Sequence, residues 1–184
     1  TPYYNKPNDR GMYEHFKAVA EACNIPIVLY NVPKRTGIDM KPELVAKLSR
    51  IKNIVAIKEA SGSLSQQSQI IEQTRGSDFV LLSGDDDLTL PTMSLGGQGV
   101  VSVVANVAPK KTVALVDAIL KGDMEKARFL HYELAPLVRA MFLETNPIPV
   151  KTAQKFLGLA GGPLRLPLAA MAPEKEKVLK DILE

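Results

Sequence analysis

Four short apolar runs punctuate the chain, and each ends in polar or turn-forming residues. Ile27-Val28-Leu29-Tyr30 stops at Asn31-Val32-Pro33, and Ile54-Val55-Ala56-Ile57 stops at Lys58. Phe79-Val80-Leu81-Leu82 gives way to Ser83-Gly84-Asp85-Asp86, and residues 100–104 to Ala105-Asn106. Apolar residues in consecutive rather than alternating positions predict strands buried on both faces. The intervening segments have helical spacing. Residues 11–23 place Tyr13, Phe16, Ala20 and Cys23 on one side, residues 42–48 carry Leu44, Val45 and Leu48, and residues 64–74 carry Leu64, Ile70 and Ile71. Strand and helix alternate roughly every 20–30 residues, the pattern of βαβ units around a parallel sheet.

Beyond the fourth run only helical spacing remains. Residues 109–120 form one predicted helix, which Gly122 ends. Asp123 caps the next, which continues towards Met141. Pro147 and Pro149 set an extended entry to a helix over 150–157, and Pro173 starts a last helix ending near Leu183. The predicted organisation is a strand–helix region over 1–122 and a helical extension over 123–184.

Composition narrows the function. The 184 residues are enough to bury a proper core. With 23 basic and 20 acidic residues the net charge is +3, too even to suggest a nucleic-acid or membrane-surface partner. There is no Trp to build a stacking platform. The single cysteine, Cys23, excludes an internal disulfide and a cysteine-rich metal site. No leader or membrane-spanning stretch is visible, so a cytoplasmic location is expected.

Candidate chemistry gathers at the ends of the runs. Tyr30, Lys58 and Gly84 lie at C-terminal strand ends, with Ser102 inside the fourth strand. In parallel α/β folds those ends form one face, and that face carries the ligand site. Lys58 either snorkels to the surface or is held in a pocket, where desolvation would free its amine as a nucleophile. Tyr30 equally suits a half-buried strand aromatic with its hydroxyl in water. Asp85, Asp86 and Asp87 suit a turn and helix start. Consecutive carboxylates cannot all face one ion and no His accompanies them, so no metal is expected. Gly96-Gly97-Gln98-Gly99 suits tight packing better than a phosphate cradle, and His15 and His131 read as structural. A lysine and a tyrosine at the same end of neighbouring strands do suggest a reaction. A lysine amine condenses with a ketone to give an iminium electron sink, and a tyrosine hydroxyl can move the protons. Arg35, just after the Tyr30 strand, has the bidentate fork to hold a substrate carboxylate.

Several motifs then point to one family. Thr1-Pro2-Tyr3-Tyr4-Asn5-Lys6-Pro7, Leu29-Tyr30-Asn31-Val32-Pro33, Arg35-Thr36-Gly37, Ile57-Lys58-Glu59-Ala60, Leu82-Ser83-Gly84-Asp85-Asp86 and Asn146-Pro147-Ile148-Pro149-Val150-Lys151 resemble the dihydrodipicolinate synthase family in order and spacing. The resemblance implies a (β/α)₈ TIM barrel with a C-terminal helical domain. It also implies condensation of pyruvate with L-aspartate-4-semialdehyde in lysine (diaminopimelate) biosynthesis. By match of motif, Lys58 would form the pyruvate imine, with no separate cofactor. Tyr30 would relay protons, and Tyr4 would be a second relay tyrosine reaching across a dimer interface. Arg35 would receive the semialdehyde carboxylate, Gly84 and Val101 would line the pyruvate pocket, and Tyr3 resembles an interface tyrosine near the lysine feedback site. A homodimer or homotetramer is the expected assembly of the full-length protein.

The chain departs from that pattern in one respect. It begins at the Thr-Pro-Tyr-Tyr motif, without the family's first four strands and their Gly-Thr-Thr-Gly-Glu segment. A (β/α)₈ barrel needs about 250 residues, so the expectation is the second half of a barrel, strands 5–8, inactive alone. Two alternatives stay open: a sialic acid (N-acetylneuraminate) lyase or keto-deoxy-sugar aldolase on the same scaffold, and a non-catalytic half-barrel that needs a partner.

Overall fold

The four apolar runs build one parallel sheet. The computed structural model describes all 184 residues. In chain order, α1 (Asp9–Glu21) leads to β1 (Ile27–Asn31), the short α2 (Pro33–Thr36) and α3 (Pro42–Leu48). Then come β2 (Ile54–Glu59), α4 (Leu64–Gln73), β3 (Val80–Ser83), α5 (Thr89–Ser94) and β4 (Gly99–Val100). The strands lie side by side in sequence order, all parallel. Each crossover carries helix, as parallel pairing requires.

Local chemistry sets the boundaries. Asn8 caps α1 by accepting the Gly11 N–H at 2.9 Å, so that helix starts two residues before its predicted limit. Ser63 caps α4 by accepting the Gln66 N–H. The fourth strand is shorter than predicted. It spans two residues, and Val104–Asn106 form a 3-10 turn instead. Ser102 therefore lies beyond the strand, where its hydroxyl accepts the Ala105 N–H at 2.8 Å and stabilises that turn.

Burial on both faces is corrected for β1 and β3. Leu29, Ile57 and Leu81, one from each long strand, meet Met12 of α1, Leu44, Val45 and Leu48 of α3 and Ile70 of α4 in a single core. On the opposite face, Val28 is 49% and Tyr30 37% exposed. The helices cover one side, so β1 and β3 alternate in burial with the two-residue period of a half-covered sheet, whereas the central β2 buries Ala56 and Ile57 in succession.

By packing the chain divides into two compact units, Thr1–Val101 and Ser102–Glu184. The first holds the whole sheet. The second contains α6 (Pro109–Leu120), α7 (Met124–Ala140), α8 (Ile148–Phe156) and α9 (Pro173–Leu183). Asp123 caps α7 by accepting the Lys126 N–H, as its position predicts. Pro149 lies in the first turn of α8 rather than in an extended entry, where its missing N–H costs nothing. Leu115, Leu130, Leu134, Met141, Val150 and Leu179 are buried within this unit. No helix of the chain is long and apolar enough to cross a membrane.

Candidate active site at the strand ends

Register brings the central pair together. β1 and β2 align Tyr30 with Lys58 and Asn31 with Glu59. Residues paired in register share a face, so Tyr30 and Lys58 stand on the open face and Asn31 and Glu59 on the covered one. The Lys58 Nζ lies 4.1 Å from the Tyr30 ring centroid, a cation–π contact between the two groups.

The next strand ends close in from the side. The Gly84 N–H donates to the Glu59 carbonyl at 2.7 Å, and the Val101 N–H to the Ser83 carbonyl at 2.9 Å. Asp85 follows Gly84. Burial and the neighbouring Asp87 raise its carboxyl pKa, while the positive charges of Lys34 and Lys58 oppose the rise. Asp85 is therefore within electrostatic reach of both lysines. Arg35 is in the last turn of α2, which leaves the end of β1 directly. Tyr3 and Tyr4 do not join this group by any ring contact; they are 75% and 84% exposed, and Tyr4 holds a left-handed φ of 67°.

Beneath the sheet lies a polar cluster that the sequence reading did not single out. Asn31 is fully buried, and its amide nitrogen donates to Glu59 Oε2 and to Asp39 Oδ1, both at 2.8 Å. Its carbonyl oxygen accepts the Met40 N–H at 3.0 Å. Both amide hydrogens and the amide oxygen are thus engaged, which fixes the orientation of the group. Glu59 is also fully buried, and its other oxygen accepts the Ser61 N–H at 2.6 Å. Burial raises the Glu59 pKa against the pull of Ser61 and Asn31. Asp39 moves the other way: burial pushes its pKa up, but hydrogen bonds from Asn31, Gln66 and Lys41 outweigh that and hold it low. The signal for this cluster was parity. A polar residue immediately after each site residue must point to the covered side, where it needs a partner.

Within the 96–99 segment, Gly97 has the expected packing role. A β-carbon on Gly97 would lie 2.7 Å from Thr92 Cγ2 and 2.9 Å from the Thr92 carbonyl oxygen.

The sequence and the fold have counterparts among known proteins. The model of the dihydrodipicolinate synthetase family matches residues 1–184, the whole chain. This chain belongs to that family. A 4-hydroxy-tetrahydrodipicolinate synthase from Methanothrix thermoacetophila is 67% identical over 183 residues, covering 100% of this chain and 62% of the relative. Among solved structures, the 4-hydroxy-tetrahydrodipicolinate synthase of Methylacidiphilum fumariolicum SolV superposes with a TM-score of 0.96 at 48% identity, over 100% of this chain and 61% of that one. Dihydrodipicolinate synthase from Aquifex aeolicus gives 0.95 at 49% identity, over 99% and 62%. The chain thus spans a little over three-fifths of the length of these dihydrodipicolinate synthetase family members. The match places its α/β architecture and parallel sheet within the family.

Proposed function

We propose that this chain carries the Schiff-base machinery of a 4-hydroxy-tetrahydrodipicolinate synthase, a lyase that condenses pyruvate with L-aspartate-4-semialdehyde. The observation that carries the reading is the Lys58 ammonium held 4.1 Å from the Tyr30 ring centroid at the ends of adjacent parallel strands. In the reaction, the neutral Lys58 amine attacks the ketone carbon of pyruvate to give a carbinolamine. The Tyr30 hydroxyl delivers a proton to the departing hydroxyl, water leaves, and an iminium forms. Loss of a methyl proton gives the enamine, whose carbon attacks the aldehyde carbon of the semialdehyde. The amine of the condensed substrate then displaces Lys58 and closes the ring. The imine serves as the electron sink, so the scheme needs no separate cofactor.

The other assignments follow from motif and position. Arg35 receives the semialdehyde carboxylate with its fork. Gly84 and Val101, whose backbones tie β2, β3 and β4 together, line the pyruvate pocket. Tyr4 is the second relay tyrosine, supplied to a neighbouring subunit's site in a homodimer or homotetramer, and its exposure suits that role. Tyr3 lies at the same interface, near a site for lysine feedback. The parallel sheet is the second half of a (β/α)₈ barrel, with the helices after residue 122 as its C-terminal domain. The protein acts in the cytoplasm.

The test is trapping. The intact gene product is incubated with pyruvate and then borohydride, and peptide mass spectrometry is expected to find one reduced pyruvate on Lys58, absent from Lys58→Ala. An unmodified Lys58 in the native protein would end this reading. Addition of the semialdehyde should then deplete the trappable adduct, which a sugar aldolase on the same scaffold would not do.

A further inference from the structure

The Tyr30–Lys58 contact depends on register, and the ladder between β1 and β2 is irregular where it begins. Ile27 pairs with Ile54, but Val28 pairs with Ala56, so one residue of β2 is skipped between them. A one-residue slip would turn Leu29 or Ile57 out of the core, but a two-residue slip keeps their parity, and apolar side chains alone oppose it only weakly. What is specific stands at the other end. Asn31 reaches across to Glu59 on the covered face, one residue beyond the pair that meets on the open face. The same amide group reaches Asp39, and Asp39 accepts from Gln66 of α4 and from Lys41. A shift of either strand would leave a buried carboxylate and a buried amide unpaired together, which costs far more than a displaced methyl group.

We infer that Asn31 is a positioning residue: bridging Glu59 and Asp39 beneath the sheet, it holds the Tyr30 ring against the Lys58 side chain on the opposite face. The inference deepens the imine reading above and rests on it for its catalytic meaning, but the geometric part can be read without any substrate.

The experiment uses the intact gene product, reductively methylated with ¹³C at its lysines, a change that keeps their charge. A methylated Lys58 lying over an aromatic ring gives an upfield, ring-current-shifted NMR signal, assigned by its loss in Lys58→Arg. Tyr30→Leu defines the unshifted position. In Asn31→Leu the Lys58 signal is expected to move to that unshifted position while the signals of lysines other than Lys41, which is bonded to Asp39, stay in place. Glu59→Gln, which keeps volume and loses one acceptor, is expected to move it the same way by less, and serves as the deciding variant if Asn31→Leu does not fold. In borohydride trapping, Asn31→Leu should form the pyruvate adduct about 10–100-fold more slowly. The double variant with Tyr30→Phe should be no slower than Tyr30→Phe alone, because both changes act through one hydroxyl.

A Lys58 signal that stays shifted in the folded variant overturns the proposal, as does a native signal already at the unshifted position. Multiplicative slowing in the double variant also overturns it, since Asn31 would then act independently of Tyr30. If the native signal is shifted and responds to Asn31 but no pyruvate adduct forms, the imine reading fails and the positioning result stands.

Discussion

At Gly84 the strand ends approach so closely that no side chain fits. A β-carbon there would sit 2.5 Å from the Ala60 β-carbon and 3.1 Å from the Glu59 carbonyl oxygen, the acceptor of Gly84's own N–H. Gly84→Ala should push β3 away from β2 and destabilise the fold by about 1–3 kcal/mol, the usual cost of overpacking. The urea midpoint measures it, and an unchanged midpoint would mean that the loop after β3 yields freely. Sequence reasoning named Gly84 for its place at a strand end but not for this contact, which depends on a neighbour 24 positions earlier. Tyr30 and Lys58 were legible for a different reason. Each interrupts an apolar run at its last position, where parallel strands expose a common face. Asn31 and Glu59 were harder to see, because one residue's shift in parity moves a polar group from the open site to the buried layer.

Between elements, the cluster formed by β1, β2, α4 and residues 39–41 links stability to pH with two opposing signs. Asp39 is held below its ordinary range, so its stabilisation is present above the unfolded value and is lost as the pH falls through the folded one. Glu59 is held above its range, so its buried charge costs stability near neutrality. Lowering the pH from the raised folded value towards the unfolded one recovers that stability. Urea midpoints followed from neutrality into the mildly acidic range should therefore rise for the native protein relative to Glu59→Gln. Parallel profiles would remove Glu59 as the source. At further acidity, both should fall as Asp39 takes its proton. The elements themselves were largely readable: the three long strands, α3, α6 and α9 lie close to their predicted bounds. The fourth strand was overextended because Val103 and Val104 have the side chains of a strand, while the Ser102 hydroxyl commits the backbone to a turn. The short α2 and α5 lack the periodicity that reveals longer helices.

On the scale of the first unit, a sheet covered by helices on one side has two edge strands, β1 and β4, and an opposite face that leaves Val28 and Val101 substantially exposed. Unpaired edges beside exposed aliphatic groups promote pairing with another chain. Sedimentation of the 184-residue chain should show association that grows with concentration. Val28→Lys should reduce it without lowering the melting temperature, and equal association in both would place the contact elsewhere. Alternation of strand and helix made the parallel α/β layout legible in the sequence. The one-sided cover was not, because consecutive apolar residues look the same whether one or both faces are packed. The division of the sheet by parity has a consequence for protein engineering. A library that randomises Val28 and Leu82 changes the open face around Lys58 and leaves the buried polar layer in place, whereas one that includes Asn31 or Glu59 changes that layer as well. Folded variants should be recovered far more often from the first set than from the second.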